Sequence, residues 1–249
     1  EKARKMAQLN RREMLILAGG AAAGLAGCVP HNRCTDGALP TSARRVLRAA
    51  HFTDIHVQPE QRAPEGFAAA LEHMQQGRDI PQLLLVGGDC VMDSFCAQEP
   101  RMREQWEIYQ KILAEHCRIP VRACIGNHDV WGGDKVNSQT TGDEPLWGKA
   151  CAVKHLGLPH RYYSFEQAGW HFIMLDSTFL PPDKPNDYTA RLDEEQFAWL
   201  EQDLRAHANM PTALVSHIPL LSAAAFMDGE NEKTGDWVVP GAWMHVDVR

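Results

Sequence analysis

Leu83-Leu84-Leu85-Val86-Gly87-Gly88-Asp89 is the stretch on which the fold turns. A short apolar run entering a pair of glycines reads as a buried strand that runs into a tight loop. A carboxylate then stands just beyond the strand's carboxyl end. The same grammar recurs on either side. Val46–Phe52 predicts a first strand leaving towards Asp54-x-His56, and Pro120–Ile125 predicts another leaving into Gly126-Asn127-His128-Asp129. Thr212–Ser216 predicts a further strand that exits at His217.

Helical spacing fills the intervals. Phe67, Leu71 and Met74 predict a helix over 65–76, and Trp106, Tyr109 and Leu113 one over 101–116. A third runs from Asp193 to Ala206, with Asp193 as its cap and Glu194-Glu195 at the positive end of its dipole. Its expected apolar face is Phe197, Leu200 and Leu204. Tyr162–Phe165 and Trp170–Leu175, separated by Glu-Gln-Ala-Gly, predict a hairpin. Two stretches, 130–149 and 178–190, have no periodicity and are expected to be loops, the first long enough to be functional.

Composition narrows the function classes. The 249 residues are 44% hydrophobic and 23% charged, as in an ordinary globular chain, and no apolar run reaches the roughly 18 residues of a membrane span. Net charge is −7, and residues 1–27 carry five basic against two acidic groups, so the remainder stands at −7 − 3 = −10. Such a surface offers no footprint for nucleic acid, and a phosphorylated substrate needs a local positive centre.

The N-terminus reads as an address. Arg11-Arg12 ahead of a short Gly/Ala-rich run resembles a twin-arginine export signal, and Leu25-Ala26-Gly27-Cys28 resembles a lipoprotein cleavage box. Residues 1–27 are therefore expected to be a signal and 28–45 a flexible tether. Residues 46–249 are expected to be the folded domain. The expected location is the periplasm, or the extracytoplasmic face of a membrane held by lipid on Cys28. Cys34, Cys90, Cys96, Cys117, Cys124 and Cys151 leave disulfides and buried thiols both open, and the absence of CxxC disfavours a thiolate zinc site.

Each strand-end motif is weak alone, but four of them follow apolar strands in one order. In open α/β sheets, loops beyond the carboxyl ends of strands can converge on a single ligand site. The set Asp54/His56, Gly88-Asp89, Gly126-Asn127-His128-Asp129 and His217 resembles the calcineurin-like metallophosphoesterase family, known by DxH, GD, GNH(D/E), a lone His and GHxH. Tyr163-Ser164-Phe165, Leu175-Asp176-Ser177 and Gln196–Leu200 are similar to exported members. The resemblance implies a four-layer αββα sandwich with two mixed β-sheets. It also implies a hydrolase of small phosphate esters, phosphodiesterase or phosphatase, acting through a metal-bridging hydroxide. Asp54 and His56 would bind one metal, Asn127 and His217 the second, and Asp89 both. His128 would stand beside the phosphate, with Asp129 orienting its imidazole.

The residue types agree with that chemistry. A bridging carboxylate holds two cations roughly 3.5–4 Å apart, the spacing that clamps the oxygens of a phosphoryl transfer. His, Asp and Asn ligation suits Mn, Fe, Zn or Co. Two divalent ions against Asp54 and Asp89 leave a positive centre that the acidic surface otherwise lacks.

Departures from the family pattern set further expectations. No GHxH is present, so the domain is expected to lack its last strands and two ligands. His245-Val246-Asp247 lacks the preceding glycine and strand of a substitute. No tyrosine follows Gly88-Asp89 as in purple acid phosphatases, and Asp93 fits either an outer contact or a turn. His51, His155, His160 and His171 are expected to be structural. Trp131, Trp147 and Trp237 are expected to pack a core or lid. The alternative function is a lipid-tethered binding protein of the same fold without catalysis.

Overall fold

The apolar runs become short strands, three of them side by side. The computed structural model describes residues 45–183, 186–223, 234 and 239–247. Residues 1–44, which hold the expected export signal, Cys28, Cys34 and most of the expected tether, and Trp237 lie outside the described residues. β1 (Ala49–Phe52), β2 (Leu83–Val86) and β3 (Val121–Ala123) form a parallel sheet in that order. Ala49 pairs with Leu83, and Leu84 with Val121. Central β2 is buried on both faces, which is why its sequence runs apolar without alternation.

Crossover helices bury it. α1 (Ala63–Met74) contributes Phe67 and Leu71, and α2 (Glu99–His116) contributes Met102, Trp106, Tyr109 and Ile112. The rings of Phe67 and Tyr109 stack with centroids 5.5 Å apart, so the two helices also seal each other. Fully burying one such apolar side chain stabilises the fold by about 1.5–3 kcal/mol. Buried Gln105 on α2 accepts from Asp93 N (3.0 Å) and donates to Asp93 O (2.9 Å), tying the loop after β2 to the helix.

The second sheet is mixed. β4 (Tyr163–Gln167) and β5 (Trp170–Met174) form the expected hairpin, and β8 (Thr212–Val215) lies parallel to β5. Ala168 and Gly169 make the turn with φ of 51° and 80°. α5 (Glu194–Ala206) covers this sheet, and the Asp193 carboxylate caps it by accepting from Gln196 N. Leu204, expected on the apolar face, is 38% exposed. The cluster of Ile173, Leu175 and Leu192 packs against Phe197, Trp199 and Leu200, one turn short of Leu204.

The two aperiodic stretches hold more structure than their sequence shows. Residues 130–149 include α3 (Lys135–Ser138), capped by Asp134, and lead into α4 (Lys149–Leu156). α4 buries only Cys151 and Ala152, too narrow a stripe to show as periodicity, and is bracketed by Gly148 and Gly157. Within 178–190, β6 (Thr178–Phe179) pairs antiparallel with β7 (Thr189–Ala190). The two main sheets meet at Tyr163, whose hydroxyl donates to Ala123 O (2.9 Å) and accepts from Ala123 N (3.2 Å).

Cys90, Cys96, Cys117, Cys124 and Cys151 are free thiols. Among the described residues no helix is long and apolar enough to cross a membrane. Trp131 and Trp147 pack the 130–149 segment, donating to Ala97 O and Gly132 O. Of the histidines expected to be structural, His171 is fully buried and His155 half-buried against Trp106, while His51 and His160 are exposed.

Candidate metal centre

The strand exits of both sheets converge on Asp89. Beyond β1 and β2 the chain continues as two parallel loops joined by Asp54 N→Gly88 O (3.1 Å), His56 N→Asp89 O (3.0 Å) and Val57 N→Cys90 O (3.0 Å). To turn their side chains inward, Asp54, His56 and Asp89 take φ of 54°, 50° and 53°. This left-handed region is uncommon for residues with a Cβ and gathers at functional sites. Gly88, at φ 93°, lets the third loop approach: a Cβ there would sit 2.6 Å from Gly126 N and 2.9 Å from His217 Nδ1.

Asp89 is buried and stands between imidazoles. Its Oδ2 lies 3.6 Å from His56 Nε2 and 3.3 Å from His217 Nε2, and its Oδ1 accepts from His128 N at 2.9 Å. Asp54 Oδ1 is 3.9 Å from His56 Nε2, and Thr53 Oγ1 holds the other Asp54 oxygen at 2.6 Å. His217 Nδ1 donates to Gly87 O at 2.8 Å, which turns Nε2 towards Asn127 Oδ1 (3.0 Å) and Asp89. A backbone carbonyl on one ring nitrogen is the usual way to aim the other at a metal.

All five expected ligands, Asp54, His56, Asp89, Asn127 and His217, are thus brought together, with His128 beside them. The rings of His56 and His128 meet edge to face, centroids 4.8 Å apart. Ligand atoms of His56, Asp89 and His128 lie within 4.8 Å of one another, and so do those of Asp54, Asp89 and His217. These sets share Asp89, although they group His56 with His128 and Asp54 with His217 and not in the expected pairs Asp54/His56 and Asn127/His217.

The donor set fits a cation. His56 Nδ1 is buried without a hydrogen-bond partner, and its Nε2 faces two carboxylates at distances too long for hydrogen bonds. Burial works against charge on His217, but the hydrogen bond and charge of Asp89 outweigh it and raise its pKa to about 9. Burial pushes the Asp89 carboxyl up, while His217 and the His128 N–H pull it down more strongly, so it ends below the usual value.

Asp129 departs from its expected role. It does not orient His128, whose Nδ1 instead meets Met92 O at 2.6 Å. Its buried carboxylate turns the other way and accepts from Asp89 N (3.0 Å), Cys90 N (2.8 Å) and Gly126 N (2.9 Å). The loops after β2 and β3 present these donors where no strand can pair them, and Asp129 is the acceptor that clamps the loops together. Burial first, then repulsion from Asp89, raise its pKa to about 7 against the pull of those amides.

Asp93 Oδ1 accepts from Cys96 N at 2.9 Å, a turn contact. His245 is buried against Ser216 Oγ (3.4 Å), and Asp247 accepts from Leu192 N (2.9 Å), so neither reaches the ligand sets around Asp89. The orienting groups that sequence reasoning missed are Thr53 and the carbonyls of Gly87 and Met92. Carbonyls carry no residue-type signal; Thr53, adjacent to Asp54, was the one legible candidate.

A model of the calcineurin-like phosphoesterases matches residues 47–240. The chain belongs to that family of metal-dependent phosphoric ester hydrolases, and its mixed α/β architecture is the metallophosphoesterase fold. Among curated proteins, it is 27% identical over 211 residues to a probable cyclic nucleotide phosphodiesterase of Synechococcus sp., covering 82% of this chain and 70% of the relative. It is 28% identical over 195 residues to a 3',5'-cyclic-nucleotide phosphodiesterase of Nostoc sp., covering 73% of this chain and 60% of that protein.

Proposed function

We propose that the chain hydrolyses small phosphodiesters of the cyclic-nucleotide class at the Asp89 centre, with two divalent cations as cofactor. The observation that carries this reading is the meeting of Asp54, His56, Asn127 and His217 around one buried carboxylate. Asp54 and His56 would hold one cation, Asn127 and His217 the other, and Asp89 both. When bound, Mn, Fe, Zn or Co ions would supply positive charge for the phosphoryl oxygens and acidify a water for attack at phosphorus.

The remaining work falls to the chain. With Nδ1–H donated to Met92 O, His128 in its imidazolium form carries a second N–H on Nε2, which it offers to the leaving oxygen as a proton or a hydrogen bond. Asp129 and Gly88 keep the loops at the spacing that the shared carboxylate requires. The names of the two relatives favour a diester over a monoester substrate.

The test uses the 249-residue chain with Mn2+ or Zn2+ on bis(4-nitrophenyl) phosphate, 4-nitrophenyl phosphate and 3',5'-cyclic AMP. Diester turnover that chelation and Asp89→Ala both abolish is expected. Turnover indifferent to Asp89→Ala refutes the site, and monoester-only turnover refutes the substrate class. Metal binding without turnover of any of the three favours the same-fold binding protein.

We further propose export by the twin-arginine route and lipid attachment at Cys28. Support comes from Arg11-Arg12 and Leu25–Cys28 alone. Arg11→Lys/Arg12→Lys should hold the protein in the cytoplasm, and Cys28→Ala should release it from membranes; fractionation unchanged by both excludes the proposal.

A further inference from the structure

The short ribbon of β6 and β7 reaches from one side of the Asp89 centre to the other. Its base stands beside His217. Ser177, which precedes β6, accepts through Oγ from Ile218 N at 3.0 Å, and its carbonyl accepts from Arg191 N, just past β7, at 3.2 Å. The other end reaches the loop that holds His128. Tyr188, the residue before β7, meets the ring of Phe95 edge to face with centroids 5.8 Å apart. Phe95 follows Ser94, whose N–H donates to His128 O at 2.8 Å, and Met92, whose carbonyl holds His128 Nδ1.

Phe95 is a fixed platform for that contact. It is buried, its carbonyl accepts from Asp134 N at 3.1 Å, and a Cβ on Gly133 would fall 2.1 Å from its ring. Asn186 Oδ1 accepts from Lys135 N at 3.2 Å, which ties the Tyr188 segment to α3 as well. Tyr188 is thereby held, half-buried, between the loops that carry His217 and His128. Its hydroxyl finds no hydrogen-bond partner among the described residues. The hydroxyl of Tyr163, by contrast, is engaged by Ala123 N and O.

We propose that Tyr188 is a substrate-binding residue, its hydroxyl donating a hydrogen bond to a non-bridging oxygen of the phosphoryl group held at the Asp89 centre. This role rests on the hydrolysis proposed above and adds to it a neutral donor, distinct from His128 at the leaving oxygen. Burial first, then the negative charges of Asp89 and Asp187, raise the phenol's pKa, so it remains a donor throughout the neutral range. The same influence of Asp89 puts the ring within the field of the centre. A hydroxyl donating to an anionic oxygen makes a bond roughly twice as strong as a neutral pair, and it adds direction without adding charge.

Packing on Phe95 explains less. A phenylalanine at 188 would make the same edge-to-face contact and leave no hydroxyl to satisfy. Ligation of a cation by the phenol is the other rival, and it differs in what loss of the hydroxyl does to metal affinity.

Tyr188→Phe keeps the Phe95 contact and removes the hydroxyl alone. The test loads the full chain with Mn2+ and measures binding of inorganic phosphate by calorimetry. The variant should bind phosphate at least about tenfold more weakly, with Mn2+ affinity and Tm unchanged. KM for bis(4-nitrophenyl) phosphate should rise by a similar factor with kcat little altered, since the bond is made in bound substrate and transition state alike. A phosphate affinity or a KM that Tyr188→Phe leaves at the wild-type value overturns this inference alone, and so does a parallel fall in Mn2+ affinity. Wild-type chain that takes up no phosphate overturns the hydrolase reading together with it.

Discussion

Asp129→Ala should cost far more stability than a residue touching no expected ligand side chain would suggest. Its carboxylate accepts from three backbone amides at 2.8–3.0 Å, and the side chain is fully buried. Each buried amide left unsatisfied costs about 1–3 kcal/mol. Relaxation makes the three less than additive, so the expected loss is at least about 3 kcal/mol, against a typical substitution near 1. Asp129→Asn separates this account from a general packing effect. One Asp129 oxygen serves Asp89 N and Gly126 N, and the other serves Cys90 N. An asparagine with its oxygen in the first position keeps two bonds and turns its amide towards the third donor, for a loss of about 1–3 kcal/mol. Urea unfolding with a chelator present, at pH 8 where the carboxyl of pKa about 7 is mostly ionised, measures both without any metal contribution. Equal losses for the two variants, or a loss below about 1 kcal/mol for alanine, would refute the clamp.

Two further outcomes follow from the same geometry. Gly126→Ala places a Cβ inside van der Waals contact of Asp89 Oδ1 and N, so Asp89 must shift; metal affinity by equilibrium dialysis should fall about 10–100-fold, and unchanged affinity counts against a shared Asp89 ligand. Asp193 has opposing influences: burial raises its carboxyl pKa, but the hydrogen bond from Arg161 and the Gln196 N–H lower it to below the ordinary value. Its stabilising contribution is therefore complete above the unfolded carboxylate pKa of about 4 and is lost as pH falls through the folded value. Asp193→Ala should cost about 1 kcal/mol at neutral pH and flatten the acid limb of Tm against pH; an undiminished limb would remove Asp193 as its source.

Much of the site was legible because its chemistry sits at strand ends. Leu83–Val86, Pro120–Ile125 and Thr212–Ser216 announced strands by apolar run alone, and the residues after them were the ones that meet. α4 and the β6–β7 pair were not legible, since a two-residue stripe or strand is too short to set a period. Asp129 was misassigned for a different reason. Adjacency to His128 suggested a partnership, but neighbouring residues on a tight turn point apart, and the nearest unsatisfied groups were backbone amides from another loop.

By itself, then, the sequence determined which residue types could ligate and the order of strands that carries them, because both are local properties of composition and spacing. Tertiary structure alone decided that His217, from the second sheet, reaches a carboxylate on the first, and that three ligand residues on two loops, Asp54, His56 and Asp89, adopt left-handed backbone where they meet. It alone also brought His171, His207 and Asp203 together, since α5 lies across the hairpin and stacks two rings that no spacing relates. Convergence of this kind depends on how helices and sheets pack, and packing is a property of the whole chain.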